Sequence, residues 1–130
     1  MNNSHQNQGQ QHINERVRFL PETAAAFRHH SRMSQFRLLL AMWAMPHSRK
    51  GWITVDDLAA TFCDRGKPTF LFNRRQLNKV LRAGNECGIW RLNNNGRRSV
   101  SLISQDKLNI KLGVSRLTQK MVSVETAVLF

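Results

Sequence analysis

NRRQLNKVLRAGNECGIWRLNNNGRRSVSLI, residues 73–103, carries the strongest structural signals in the chain. Its first half reads as a helix, with Arg74, Arg75, Gln76, Asn78, Lys79 and Arg82 placing cations and amides on one side while Leu77, Val80 and Leu81 hold the other side down. The helix is predicted to stop between Glu86 and Gly88, because glycine accepts the left-handed conformation that follows a helix end. Ile89–Leu92 then reads as a short strand, Asn93–Gly96 as a tight turn and Arg97–Ile103 as the returning strand. Asn-Gly between two such runs predicts a type I′ hairpin turn, whose two central residues both take positive φ. A basic helix followed at once by a hairpin with Arg97 and Arg98 beside its tip is a surface suited to phosphates and base edges.

Upstream, Cys63–Pro68 is a connection broken by Gly66 and Pro68. Two helix starts follow from the sequence. Thr69 can cap a longer helix burying Phe70, Leu77, Leu81 and Gly84, or Asn73 can cap a shorter one with Gln76 in the capping-box position. The Thr69 start is preferred, because it keeps Phe70 in the core and leaves a six-residue loop. Thr54 with Asp57 three residues on predicts the start of a helix to Phe62 that buries Leu58, Ala59 and Phe62. Trp52-Ile53 is expected to form a one- or two-residue strand against the hairpin, after a polar loop at His47–Gly51.

Ser34 is expected to cap a helix running through Phe36, Leu38, Leu39, Leu40, Met42, Trp43 and Met45 and ended by Pro46. Apolar on most sides, it should be the central core helix. Pro21-Glu22-Thr23 predicts a helix to about Arg32, with proline where a first turn tolerates it and an acid where the dipole favours one. His29-His30 is a poor metal pair, since adjacent helical side chains diverge by about 100°. Val17 and Phe19 alternate with Arg16 and Arg18 as in a short strand or arm, and Met1–His12 is too polar to offset its ordering entropy. Beyond Ile103, Leu108, Ile110, Leu112 and Val114 alternate with polar residues, the pattern of a half-buried strand. Leu117–Phe130 is expected to be a helix packed on Pro21–Arg32 or a dimerisation segment.

With 130 residues the chain has length for one domain plus tails. The expected divisions are a polar tail (1–12), an arm and helix (13–33), a central domain (34–103) and a C-terminal extension (104–130). Net charge is +12, and residues 63–103 contribute +7 of it, with nine Lys or Arg against two acids. A charge focused in this way is an electrostatic footprint for a polyanion, nucleic acid being the commonest. Cys63 and Cys87 do not form a secreted disulfide framework; both fall at helix ends and could pair, but the preferred reading is two reduced, partly buried thiols. No apolar run approaches the roughly 20 residues that span a bilayer. An intracellular protein, cytoplasmic or nucleoid-associated, is expected.

The order helix, short strand, helix, helix, strand, Asn-Gly turn, strand over Ser34–Ile103 resembles a winged helix-turn-helix domain, a mainly α fold with a small β-hairpin (α+β). The resemblance implies that Thr69 or Asn73 to Glu86 is a recognition helix for a DNA major groove. Thr54–Phe62 would support it, and Asn93–Arg98 would be the wing. One departure is the connection after Phe62, longer than the tight turn of the simplest helix-turn-helix. Arginine can donate two bonds to guanine, and Asn or Gln can pair with adenine, so Arg74, Arg75, Gln76 and Asn78 are the candidate base readers. Lys79, Arg82, Arg97 and Arg98 are the candidate phosphate contacts.

Two functions of different class follow. One is a sequence-specific double-stranded DNA binder, serving as a transcriptional regulator or as a replication, partition or mobile-element factor, with a homodimer through the C-terminal segment suited to palindromic sites. The other is a winged-helix assembly protein that binds a protein partner and holds nucleic acid without sequence preference. Enzymatic activity is not expected: the eight acids are scattered except for Asp56-Asp57, whereas two-metal chemistry needs converging carboxylates. There is no Walker-type loop and no zinc-spaced Cys/His set, so no cofactor or metal is expected.

Overall fold

The computed structural model describes residues 13–46, 51–114 and 120–129. The fold is α+β, with five α-helices and two small antiparallel sheets among those residues. Strand β1 (Arg16–Phe19) opens it, turning Val17 and Phe19 inward and Arg16 and Arg18 outward as the alternation predicts. Helix α1 (Pro21–His29) follows, with Pro21 in its first turn. It ends three residues earlier than expected, because Ser31 takes the left-handed conformation (φ 58°) and the Arg32 N–H returns to the Phe27 carbonyl at 2.8 Å. That closure restarts the chain at once, so α2 (Met33–Trp43) begins before Ser34. Arg32 is its N-cap through its backbone, with no side-chain cap.

Helix α2 is the centre of the core, with Phe36, Leu38, Leu39, Leu40, Ala41 and Met42 all buried. Phe36 lies 5.4 Å from Phe19 and 5.0 Å from Phe27, joining β1 and α1 to the central helix. Strand β2 (Trp52–Thr54) leads into α3 (Val55–Phe62), where the Thr54 hydroxyl accepts from the Asp57 N–H at 3.1 Å. Helix α4 (Arg74–Glu86) precedes the hairpin of β3 (Trp90–Asn93) and β4 (Ser99–Leu102). The three strands run in the order β2-β4-β3, all antiparallel.

The start of α4 corrects the preferred sequence reading. Asn73, not Thr69, is the cap: its side chain accepts from the Gln76 N–H at 2.8 Å, while the Gln76 side chain accepts from the Asn73 N–H at 3.2 Å. The Thr69 hydroxyl is engaged by the Thr61 carbonyl at the end of α3. Leu71 and Phe72 take the core positions and donate their N–H groups to the Phe62 carbonyl, which holds this backbone out of helix. Phe70 is only half-buried, with the Arg65 guanidinium over its ring. The Asn73→Ala variant is expected to lose about 1 kcal/mol, read as a lower urea midpoint at unchanged slope.

Downstream, the strand expected over Lys107–Val114 is instead α5 (Gln105–Lys111), capped by the Ser104 hydroxyl on the Lys107 N–H at 3.2 Å. Its alternation also contains the helical pair Leu108 and Leu112, and burial follows that pair: Leu108 is 1% exposed whereas Ile110 is 65% exposed. The buried Thr23 hydroxyl donates to Asn109 Oδ1, tying α1 to α5. Of the two alternatives for the C-terminal segment, a helix or a dimerisation segment, the helix is corrected. Val122–Glu125 forms β5, paired antiparallel with β1, and a 3-10 turn at Thr126–Leu129 follows. Thr126 fixes this end by donating its N–H to the Glu15 carbonyl at 2.7 Å. The polar tail at 1–12, most of the His47–Gly51 loop and residues 115–119 and 130 lie outside the described residues. Val17, Phe19, Phe27 and Leu108 share one apolar cluster with Leu38, Leu81 and Trp90, and Val124 of β5 packs against it, so both ends of the described chain close on the central helices.

Candidate nucleic-acid interface

Leu77, Leu81 and Gly84, spaced four and three apart, bury one side of α4. Arg75, Lys79 and Arg82 are exposed at the complementary spacing i, i+4, i+7, which aligns them in one stripe on the side turned away from the core. Arg74 is exposed about 100° round the helix from Arg75, beside the end of α3. Burial pushes the Cys63 thiol up, and the Arg74 guanidinium offsets part of that rise. Asn78 is half-buried between the stripe and the core side. Gln76 is exposed but engaged in the capping box. An adenine contact through both its oxygen and its nitrogen therefore competes with the cap, leaving Asn78 the better-placed amide.

Two contacts lock the hairpin to this helix. The Trp90 indole N–H donates to the Leu81 carbonyl at 2.8 Å, and the Asn85 side-chain oxygen accepts from the Leu92 N–H at 2.9 Å. The Trp90 ring lies so close over α4 that a Cβ built at Gly84 would fall 2.2 Å from two of its atoms. Gly88 turns the chain from helix to strand at φ +76°, as the sequence predicts. The turn itself differs from prediction. Asn93 pairs with Ser99, leaving the five-residue loop 94–98. Gly96 alone within it has positive φ, and the Asn95 N–H donates to Asn93 Oδ1 at 3.0 Å. That side-chain turn replaces the type I′ geometry.

Arg97 and Arg98 are both exposed in this loop. The Arg98 carbonyl accepts from the Val55 N–H at 2.9 Å, docking the hairpin on the start of α3, and its guanidinium donates to Asn94 Oδ1 at 3.1 Å. Among the described residues none of Arg74, Arg75, Lys79, Arg82, Arg97 or Arg98 has an ion-pair partner. Arg74 and Arg75 also occupy the first turn of α4, where the helix dipole disfavours cations and an anion would relieve them. Sequence reasoning did not single out Asn85 or Arg91. Asn85 had no signal in the local pattern, while Arg91 is an exposed cation on β3 at an outward position of the predicted strand.

No three His, Cys, Asp or Glu residues converge on a metal-sized site among the described residues. No helix among them is long and apolar enough to cross a membrane. The fold and its charged surface define an α+β protein with a basic helix rigidly joined to a basic hairpin. Comparison of the chain with protein-family models, curated proteins and solved structures finds no match.

Proposed function

We propose that this chain is a sequence-specific double-stranded DNA-binding protein of winged helix-turn-helix type, acting as a transcriptional regulator or a replication or partition factor. The observation that carries the reading is the exposed Arg75-Lys79-Arg82 stripe, without ion-pair partners among the described residues, on a helix whose opposite face is locked in the core, with Arg97 and Arg98 on the loop beside it. The element order α2-β2-α3-α4-β3-β4 and the sheet order β2-β4-β3 support it. In this reading α4 lies in the major groove. Arg75 and Asn78 face base edges, Lys79 and Arg82 meet phosphates, and the 94–98 loop touches backbone or minor groove. The chain between Phe62 and Arg74 is longer than a tight turn, but its backbone bonds to Phe62 make it a fixed spacer.

Selection from a random duplex library at roughly physiological salt, followed by titration against a scrambled duplex, tests the proposal. A preference of about a thousandfold or more is expected, and the symmetry of the selected site would tell whether a pair of chains binds it. Equal, salt-sensitive binding to every duplex would overturn sequence reading and favour an assembly protein that only holds the backbone.

A further inference from the structure

The three-stranded sheet has a second face that the preceding proposal does not use. Ile53, Val100, Leu92 and Trp90 point to the core, so strand alternation turns Trp52, Ser101 and Arg91 to the other side. These three are directly cross-paired: Trp52 opposite Ser101, and Ser101 opposite Arg91. Trp52 is 45% exposed on the edge strand β2, whereas the other large aromatic of the sheet, Trp90, is 2% exposed. Its neighbour on the central strand is a serine, too short to cover an indole. Arg91 lies two strands away, about 10 Å at the usual strand spacing. None of the residues in β2, β3 or β4 is acidic.

A lone exposed apolar residue on a protein surface is ordinary; the surroundings of Trp52 set it apart. A peptide-binding face would carry further apolar side chains around the indole. Here the same face offers Ser99, Ser101, Asn93 and Arg91, polar or cationic groups that suit a ligand with one flat apolar surface and a nearby negative charge. An unpaired nucleotide has both. Resting on the nucleic-acid reading of α4, we infer that the Trp52-Ser101-Arg91 row binds single-stranded nucleic acid, with a base stacked on the indole of Trp52 and a phosphate on Arg91. Stacking of this kind tolerates any base, since every base has a π-face. The chain would then hold duplex on α4 and an adjoining unpaired strand on the sheet, as at a melted or junctional site.

The test is a titration of the full chain with an oligothymidylate of about ten nucleotides, within the site sizes usual for such surfaces, and with a duplex. Intrinsic tryptophan emission and anisotropy are read for the wild type, Trp52→Ala, Trp52→Phe and Arg91→Ala. Single-strand binding should quench wild-type emission, and Trp52→Ala should abolish the quench and weaken single-strand affinity about tenfold. Trp52→Phe, which keeps a ring, should bind within about threefold of wild type, and duplex affinity should be unchanged in all Trp52 variants. Single-strand affinity and quenching that persist in Trp52→Ala would overturn the inference. So would a wild type that binds duplex but no single strand, leaving the reading of α4 intact. A wild type that binds neither would remove both.

Discussion

Gly84→Ala should be among the most damaging single substitutions in the chain, lowering stability by about 3 kcal/mol. A methyl group there would stand 2.2 Å from the Cε2 and Cζ2 atoms of Trp90, well inside contact distance. Neither side can yield cheaply: Trp90 is pinned by its bond to the Leu81 carbonyl, and Gly84 lies in the buried face of α4. For a domain of this size the loss corresponds to a melting temperature lower by roughly 10 °C. The substitution would otherwise favour the helix, since alanine exceeds glycine in propensity by about 1 kcal/mol. A loss therefore isolates the steric term. Trp90→Phe lacks the outer ring atoms that meet the new methyl, so the two substitutions should not add. Thermal or urea unfolding of the double variant should show Gly84→Ala costing clearly less in the Trp90→Phe background. Additive costs would mean that the helix and hairpin are not held together at this contact.

Replacing Arg75, Lys79 and Arg82 together by alanine should produce the largest functional loss. Each phosphate contact removed lowers the slope of log affinity against log salt by about 0.9 for duplex DNA. Loss of the two phosphate contacts, Lys79 and Arg82, lowers it by about 1.8 and, at roughly physiological salt, weakens binding to any duplex by about thirtyfold. The stripe is exposed and without ion pairs among the described residues, so the variant should fold as the wild type does. Arg75, which faces base edges in this reading, adds about 1–3 kcal/mol of lost preference for the selected site rather than a change in slope. An unchanged salt slope together with unchanged affinity would remove α4 as the nucleic-acid surface.

The parts of this fold legible in sequence are those specified by near neighbours. Thr54 with Asp57, Gly88 after Glu86, and Trp52-Ile53 before α3 each carry a signal within a few residues, and each forms as read. The start of α4 offered two local caps, and the choice fell to Leu71 and Phe72 filling the core, a packing fact outside local pattern. The Asn95-Gly96 turn failed for a related reason: Asn93 supplied its own side chain to the loop. In α5 a period-two pattern over a short stretch also contained a helical pair, and the Ser104 cap favours the helix. The pairing of β1 with β5 joins residues such as Arg16 and Ser123, 107 positions apart, and has no local signature. For the candidate site, eight candidate residues were named from sequence, Asn85 and Arg91 not among them. Their arrangement was not, since the commitment of Gln76 to the cap and the drift of Arg74 towards Cys63 depend on how the preceding loop folds.

The β1-β5 ribbon also fixes an order of events during synthesis. Arg16 leaves the ribosome 107 residues ahead of Ser123, an interval of roughly 5–20 s at ordinary translation speed. Throughout it Val17 and Phe19 have no strand to pair with. The α4-hairpin unit spans a short, contiguous stretch and needs no such wait, so the nascent chain carries its basic surface before its first strand has found its partner.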